Sequence, residues 1–182
     1  MTDLPGDYHA ALTLLANAFV TYEAKTGVSA ILVGGSATAI STGGAFMSED
    51  FDVVAGNDAA FGEAMAAHGF ERESPAVHGL VAWYHPDFQR FAVEQVSGGY
   101  FDGKADRTKC LKLAINGDSA IVLPAVEDLI ADRLAQYAVS AGDDAMLEQA
   151  KALFALSNGL DLDYLKRRVL EEGGNVGLLG LD

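Results

Sequence analysis

Two short motifs carry the groups in this chain that could do chemistry, and the first is a glycine turn. Gly34-Gly35-Ser36 follows the apolar residues 29–33. A strand that ends in glycines and turns into a helix exposes backbone N–H groups to a ligand, and phosphate is the anion that suits such a turn. The dinucleotide fingerprint is absent, because Ser36 and Ala39 stand where glycines are required. The nucleophile elbow is absent too, because Thr38 replaces its last glycine.

The second motif is Asp50-Phe51-Asp52, which the sequence places at the start of a strand. Side chains two residues apart share one face of a strand, so the two aspartates project together. Adjacent carboxylates repel each other, and a cation relieves that repulsion. Hard oxygen ligands favour Mg²⁺ or Mn²⁺. An isolated pair of this kind is also typical of a solvated strand end or turn, so that alternative stays open.

The order and spacing of the two motifs carry more information than either motif alone. One short helix separates them, which brings a phosphate-binding turn and metal-binding carboxylates to the same edge of a sheet. With thirteen residues between Ser36 and Asp50, the pair resembles the signature of the DNA polymerase beta-type nucleotidyltransferase superfamily. Residues 123–134 and 160–165 are similar to helices of small bacterial members, including those like the AbiEii toxin. The resemblance covers about residues 10–172.

The resemblance implies a metal-dependent enzyme that moves a nucleoside monophosphate from an NTP to a hydroxyl group. In this family three carboxylates hold two ions, Mg²⁺ or Mn²⁺. Asp50 and Asp52 would bridge the ions, and Glu94 is the candidate third ligand, although a glutamate on an edge strand facing water is an equal alternative. Asp87 and Asp102 are fallback choices for the third ligand.

The resemblance also suggests which residues hold the nucleotide, and where this chain departs from the family. Phe46 stands where members carry an arginine, and Arg133 stands where many carry a lysine. These departures leave open a catalytically weakened binding module or an antitoxin-like partner. Lys104 and Lys109 belong to a local basic stretch, for which a solvated surface is the alternative explanation. The expected nucleotide-binding residues are Gly34, Gly35, Ser36, Ser48, Lys104, Lys109 and Arg133.

The elements that must position these residues follow from hydrophobic periodicity. Helices are predicted over residues 10–25, 36–41 and 58–68, and strands over residues 29–33, 51–55, 80–84, 91–96, 112–115 and 120–123. The last two strands form a hairpin around Asn116-Gly117. Three helices follow at 125–139, 144–156 and 162–172. The predicted fold is α+β, with a mixed sheet flanked by helices. We expect a catalytic domain over residues 1–123 and a helical C-terminal section, residues 124–182, packed on it.

Composition and charge limit the partners. The net charge is −14, which disfavours broad binding to nucleic-acid backbones and favours a protein or small-molecule acceptor, with a tRNA end still open. The single cysteine, Cys110, excludes an intrachain disulfide and agrees with a cytoplasmic location. No signal peptide or membrane segment is predicted. The resemblance to AbiEii-like proteins further suggests a toxin–antitoxin system, with a protein partner from a neighbouring gene.

Overall fold

A mixed five-stranded sheet organises the protein, whose computed structural model describes residues 4–73, 81–97, 99–140 and 144–181. Neighbouring strands follow the order β1-β2-β5-β4-β3. β2 and β5 are parallel, whereas the other neighbouring pairs are antiparallel. This mixed sheet confirms the predicted α+β class. Leu80, predicted to begin β4, lies outside the described residues. The strands are β1 (Ile31–Val33), β2 (Asp50–Val54), β3 (Glu71–Arg72), β4 (Val81–Tyr84) and β5 (Ala92–Ser97).

Two helices, α1 (Gly6–Thr26) and α3 (Asp58–Ala67), pack together on one side of the sheet. The ring of Tyr8 in α1 lies 5.1 Å from that of Phe51 in β2 and 5.5 Å from that of Phe91. Phe51 and Val93, which occupy neighbouring positions in β2 and β5, are both buried in this core. Because side chains alternate along a strand, this burial directs the intervening polar residues of β2 and β5 to the opposite face.

The opposite face of the sheet carries a smaller apolar cluster. It contains Ile31, Val33 and Val54 from the sheet, together with Tyr100 and Val122. Val122 belongs to the predicted hairpin, which is present as the antiparallel strands β6 (Leu111–Asn116) and β7 (Ser119–Leu123). The hairpin forms its own two-stranded sheet and packs against α1 and β1 instead of extending the main sheet.

The C-terminal section is helical, as predicted, with α4 (Val126–Val139), α5 (Ala145–Leu156) and α6 (Leu162–Glu171). α4 lies centrally, in contact with both α5 and α6 and with α2 (Gly34–Ser41), the helix that follows the glycine turn. Buried residues of these helices, such as Leu129, Leu153 and Leu165, share one hydrophobic core with α1 and the main sheet. None of the helices in the described parts of the chain combines the length and apolar character needed to cross a bilayer.

A buried ion pair joins α4 to α6. The Nε of Arg168 donates to Oδ1 of Asp128 at 2.7 Å, and both side chains are fully buried. The hydroxyls of Tyr100 and Tyr164 also donate to this carboxylate. The helical pattern alone predicts that Glu127, Asp128 and Asp132 form the polar face of a helix, and this prediction is wrong for Asp128, which is fully buried. A carboxylate can be buried there because an arginine and two hydroxyls replace the hydrogen bonds that water would provide.

We expect Asp128→Asn to destabilise the protein by about 3 kcal/mol, because it leaves the Arg168 charge buried without its main counter-ion. Chemical denaturation measures this change. Arg167→Gln is the matched control, since Arg167 forms an exposed pair with Glu171 and its loss should cost less than about 1 kcal/mol. Similar small changes in both variants would show that the buried pair does not secure α6.

Candidate active site

The turn between β1 and α2 brings backbone and carboxylate into close contact. Gly34 has a φ of +64°, and a Cβ at this position would overlap the carboxylate of Asp52 in β2, with Cγ only 2.9 Å away. A Cβ on Gly35 would lie 2.9 Å from Oγ of Ser48. The turn approaches the residues around β2 so closely that neither position has room for a Cβ. Gly34 is also required because its backbone is in the left-handed conformation. The glycine turn and the Asp52 carboxylate are therefore in direct contact.

The parallel pairing of β2 with β5 brings the predicted carboxylates to one face. Asp52 is the register partner of Glu94, and Asp50 is the partner of Ala92. Register partners on adjacent strands project to the same side, so Glu94 lies on the face that Asp50 and Asp52 share. Asp50 is exposed, whereas Asp52 and Glu94 are half-buried.

The electrostatic environment of Asp52 disfavours its charged form. Burial has the largest effect and, with the negative charges of Glu94 and Asp50, raises the pKa of Asp52 to about 6 from 3.8. The Arg133 charge opposes this rise, and Asp132 adds to it. A partly buried carboxylate surrounded by other carboxylates is an environment that a bound cation would stabilise.

The donor chemistry of this face fits a divalent hard cation, because all three side chains offer carboxylate oxygens. In the described parts of the chain, no three His, Cys, Asp or Glu side chains are already grouped closely enough to hold a metal ion. Backbone register brings Asp50, Asp52 and Glu94 to a common face, and rotation of their side chains would have to complete a site.

A cleft of about 410 Å³ opens over Asp52. The sheet and the glycine turn form one wall of the cleft. The segment around Phe101 forms a second wall, and α4 together with the end of α6 forms the third. Because α4 and α6 contribute to it, the cleft lies between the sheet and the helical section. Its described lining is Val33, Gly34, Gly35, Asp52, Val54, Val96, Gly99, Phe101, Asp102, Asp132, Arg133, Gln136 and Glu172.

Arg133 supplies a positive charge to this cleft, and its side chain is only 5% exposed. Its Nη2 donates to Oδ2 of Asp132 at 2.5 Å, and its Nη1 donates to Oε1 of Gln149 at 3.4 Å. Gln136 donates to the same Asp132 carboxylate. The structure thus brings Arg133, predicted as a nucleotide contact, to the cleft that contains Asp52.

The two predicted serine contacts are placed differently. Ser36 is fully buried, and its hydroxyl donates to the backbone carbonyl of Asp50 at 2.5 Å. Ser48 also donates to that carbonyl, at 3.2 Å, and lies against Gly35. We expected Ser36 to contact phosphate, but here it connects α2 to the strand that carries the carboxylates, because its position inside the first turn of α2 directs it towards β2.

The basic stretch is dispersed over the surface and does not form a cluster in the cleft. Lys109 pairs with Asp161 at 3.0 Å, beside a separate groove, so the structure does not bring it to Asp52. Lys104 lies nearer, because its partner at 3.6 Å, Glu172, lines the cleft.

Sequence reasoning missed the contribution of the segment after β5. Phe101 and Asp102 line the cleft, and their φ values of +43° and +52° are unusual for residues other than glycine. Such conformations cost on the order of 1–3 kcal/mol each and are concentrated at functional sites. Asp102 was predicted only as a fallback third ligand. Asp87, the other fallback, is exposed in a 3₁₀ turn and is absent from the described cleft lining.

Comparison with known proteins identifies the fold. No protein-family model and no curated protein matches the chain by sequence. Among solved structures, an antigenic nucleotidyltransferase-like protein from Paracoccidioides brasiliensis is similar, with a TM-score of 0.60 at 16% identity over 89% of this chain and 87% of that one. The antibiotic-resistance factor ANT(2″)-Ia in solution gives 0.56 at 12% identity, over 90% of this chain and 91% of that one.

A second structure of ANT(2″)-Ia, in complex with adenylyl-2″-tobramycin, gives a TM-score of 0.58 at 11% identity, over 89% of this chain and 97% of that one. The match therefore extends over nearly the whole of both chains. At such low identities the similarity establishes the fold alone. The activity and the substrate have to be inferred from the residues of the site. The chain has the nucleotidyltransferase fold.

Proposed function

We propose that this protein transfers a nucleoside monophosphate from an NTP to a hydroxyl acceptor, using a divalent metal ion. The observation that carries the proposal is the position of Asp52, which pairs in register with Glu94 and lies against the Gly34-Gly35 turn in a cleft that the buried Arg133 also lines. A carboxylate set for metal, a backbone turn for phosphate and a buried cation are the groups that nucleotidyl transfer requires.

Each group has a distinct task in the proposed reaction. The acceptor hydroxyl loses its proton to solvent and attacks the α-phosphorus, and the bond from that phosphorus to pyrophosphate breaks, so that pyrophosphate leaves. A divalent cation, Mg²⁺ or Mn²⁺, would supply charge neutralisation and would be held by Asp50, Asp52 and Glu94. Backbone N–H groups of the Gly34-Gly35 turn would bind the triphosphate, and Arg133 would stabilise the negative charge that develops on it.

The acceptor that this cleft fits best is a small molecule with positive charge. Asp102 adds an exposed carboxylate to its lining, beside Asp132 and Glu172, which are ion-paired, and the net charge of −14 repels long nucleic acids. ANT(2″)-Ia, which shares the fold, is an antibiotic-resistance factor known in complex with adenylyl-2″-tobramycin. The AbiEii-like subtype, a toxin–antitoxin partnership and a cytoplasmic location stay predictions from the sequence.

A binding module without turnover is the second candidate. It is favoured by Phe46, which stands where the family often carries an arginine. Calorimetry with NTPs, with and without Mg²⁺, separates the two functions. Metal-dependent triphosphate binding supports the enzyme, whereas absence of nucleotide binding together with a stable complex with a neighbouring gene product supports the module.

Incubation with labelled NTPs, Mg²⁺ and a panel of hydroxyl acceptors tests turnover directly. We expect Asp50→Asn and Asp52→Asn each to reduce transfer roughly 100-fold or more, because each removes a charge that would hold the metal. Asp118→Asn makes the same chemical change in an exposed turn and should leave transfer unchanged. Equal transfer by all four proteins would contradict the assignment.

The raised pKa of Asp52 predicts how the stability of the metal-free protein depends on pH. The folded-state pKa is about 6 and the ordinary value is 3.8, so between these values the folded state binds more protons than the unfolded state. Stability should therefore fall as pH rises through this interval. In chelator near neutral pH, Asp52→Asn should be more stable than the wild type by about 1–2 kcal/mol, a figure reduced for solvent in the cleft.

Denaturation of both proteins at pH values below and above this interval measures the effect. Added Mg²⁺ should stabilise the wild type more than Asp52→Asn, because binding to the folded state raises stability. A variant that is less stable than the wild type in chelator would show that the Asp52 carboxylate is well accommodated without a cation.

The glycine turn offers a sterically matched test. Gly34→Ala should weaken triphosphate binding by about tenfold or more and destabilise the fold, because its Cβ overlaps the Asp52 carboxylate. Gly43 has nearly the same φ, +66°, but nothing lies within 4 Å of its Cβ position. Gly43→Ala therefore reproduces the backbone strain without the overlap and should bind triphosphate normally. Equal binding by the two variants, measured by calorimetry, would argue against a role for the turn.

A further inference from the structure

The cleft contains an aromatic side chain that the proposed phosphate and metal chemistry does not use. Phe101 is half-buried and lines the cleft together with Gly34, Gly35 and Asp52. Among the described lining residues it is the only aromatic one. Its ring is therefore a flat apolar surface in the same cleft as the groups proposed to hold a triphosphate.

The ring packs against the smaller apolar cluster and a buried arginine, and not against the main core. The guanidinium of Arg168 lies over the Phe101 ring, 5.8 Å from its centroid, and the ring of Tyr100 is 5.0 Å away. Arg168 is fully buried and is itself fixed by Asp128 and by Glu172. A side chain on a strained backbone, in contact with a fixed arginine over its ring, is preorganised at the cleft wall.

A preorganised ring in this position suits a ligand with a flat face. The donor NTP always carries such a face, its nucleobase, whereas a hydroxyl acceptor need have none. Because the phosphates and the base belong to one molecule, a triphosphate bound at the Gly34-Gly35 turn carries its base into the same cleft. The Asp102 carboxylate beside the ring is an acceptor for the exocyclic amino group of a base.

We propose that Phe101 is the surface on which the nucleobase of the donor nucleotide stacks, an inference that rests on the proposed function. Stacking on an aromatic ring tolerates any base because every base has a π-face. Phe101 then contributes to the affinity for the nucleoside part of the substrate and does not contribute to the affinity for the phosphates.

Calorimetry with two probes tests this assignment in the presence of Mg²⁺. The probes are an α,β-methylene analogue of ATP, which does not turn over, and inorganic tripolyphosphate. We expect the wild type to bind the analogue more tightly than tripolyphosphate. Phe101→Leu should weaken binding of the analogue by about tenfold and leave tripolyphosphate binding unchanged. Phe101→Tyr, which keeps the ring, should bind both probes as the wild type does.

Phe88→Leu is the matched control, since Phe88 is also a half-buried phenylalanine, contacts His85 and is outside the described cleft lining. If Phe101→Leu weakens the binding of both probes equally, the ring is a structural support and the assignment is overturned. Equal affinity of the wild type for both probes would overturn it while the proposed function stands. A wild type that binds neither probe overturns both.

Discussion

The pairing register between β2 and β5 is the constraint on which the candidate site depends. Because Asp52 is paired with Glu94 in parallel strands, their carboxylates share one face of the sheet. A slip of one residue would exchange this face with the one that buries Val93. The apolar residues packed under α1 therefore do more than stabilise the sheet: their burial fixes the register, and the register brings the carboxylates together.

This arrangement places like charges close together in a partly buried position, which opposes folding when no cation is bound. The raised pKa of Asp52 is the visible consequence. The stabilising interactions lie elsewhere, in the aromatic packing of Tyr8 with Phe51 and Phe91 and in the buried pair of Asp128 with Arg168. A site that is unfavourable alone and favourable with its ligand is a common compromise between stability and activity.

The helical C-terminal section contributes directly to the cleft. α4 supplies Arg133 and the residue that follows α6 is Glu172, while the guanidinium of Arg168 in α6 lies over the ring of Phe101. The buried ion pair thus has two consequences, since it fastens α6 to α4 and supports one wall of the cleft. A change in this pair should affect both the stability of the protein and the shape of the site, so the two effects must be measured separately.

The sequence by itself determined the local features. The glycine turn, the strand with Asp50 and Asp52, the Asn-Gly hairpin and the three final helices all follow from periodicity and turn chemistry, which depend on neighbouring residues. The resemblance to the nucleotidyltransferases implied a third carboxylate, and Glu94 was the candidate because it lies among apolar residues of a predicted strand.

Only the tertiary structure decided which distant residues meet. The register of β2 with β5, the burial of Asp128 and the position of Arg133 over the cleft depend on contacts between segments far apart in the chain. The same holds for Ser36, whose hydroxyl turns to the Asp50 carbonyl, and for Lys109, which pairs with Asp161. A charged residue has the same local signature in a solvated surface as in a buried pair. The difference lies in the partner that packing supplies, and sequence spacing does not contain it.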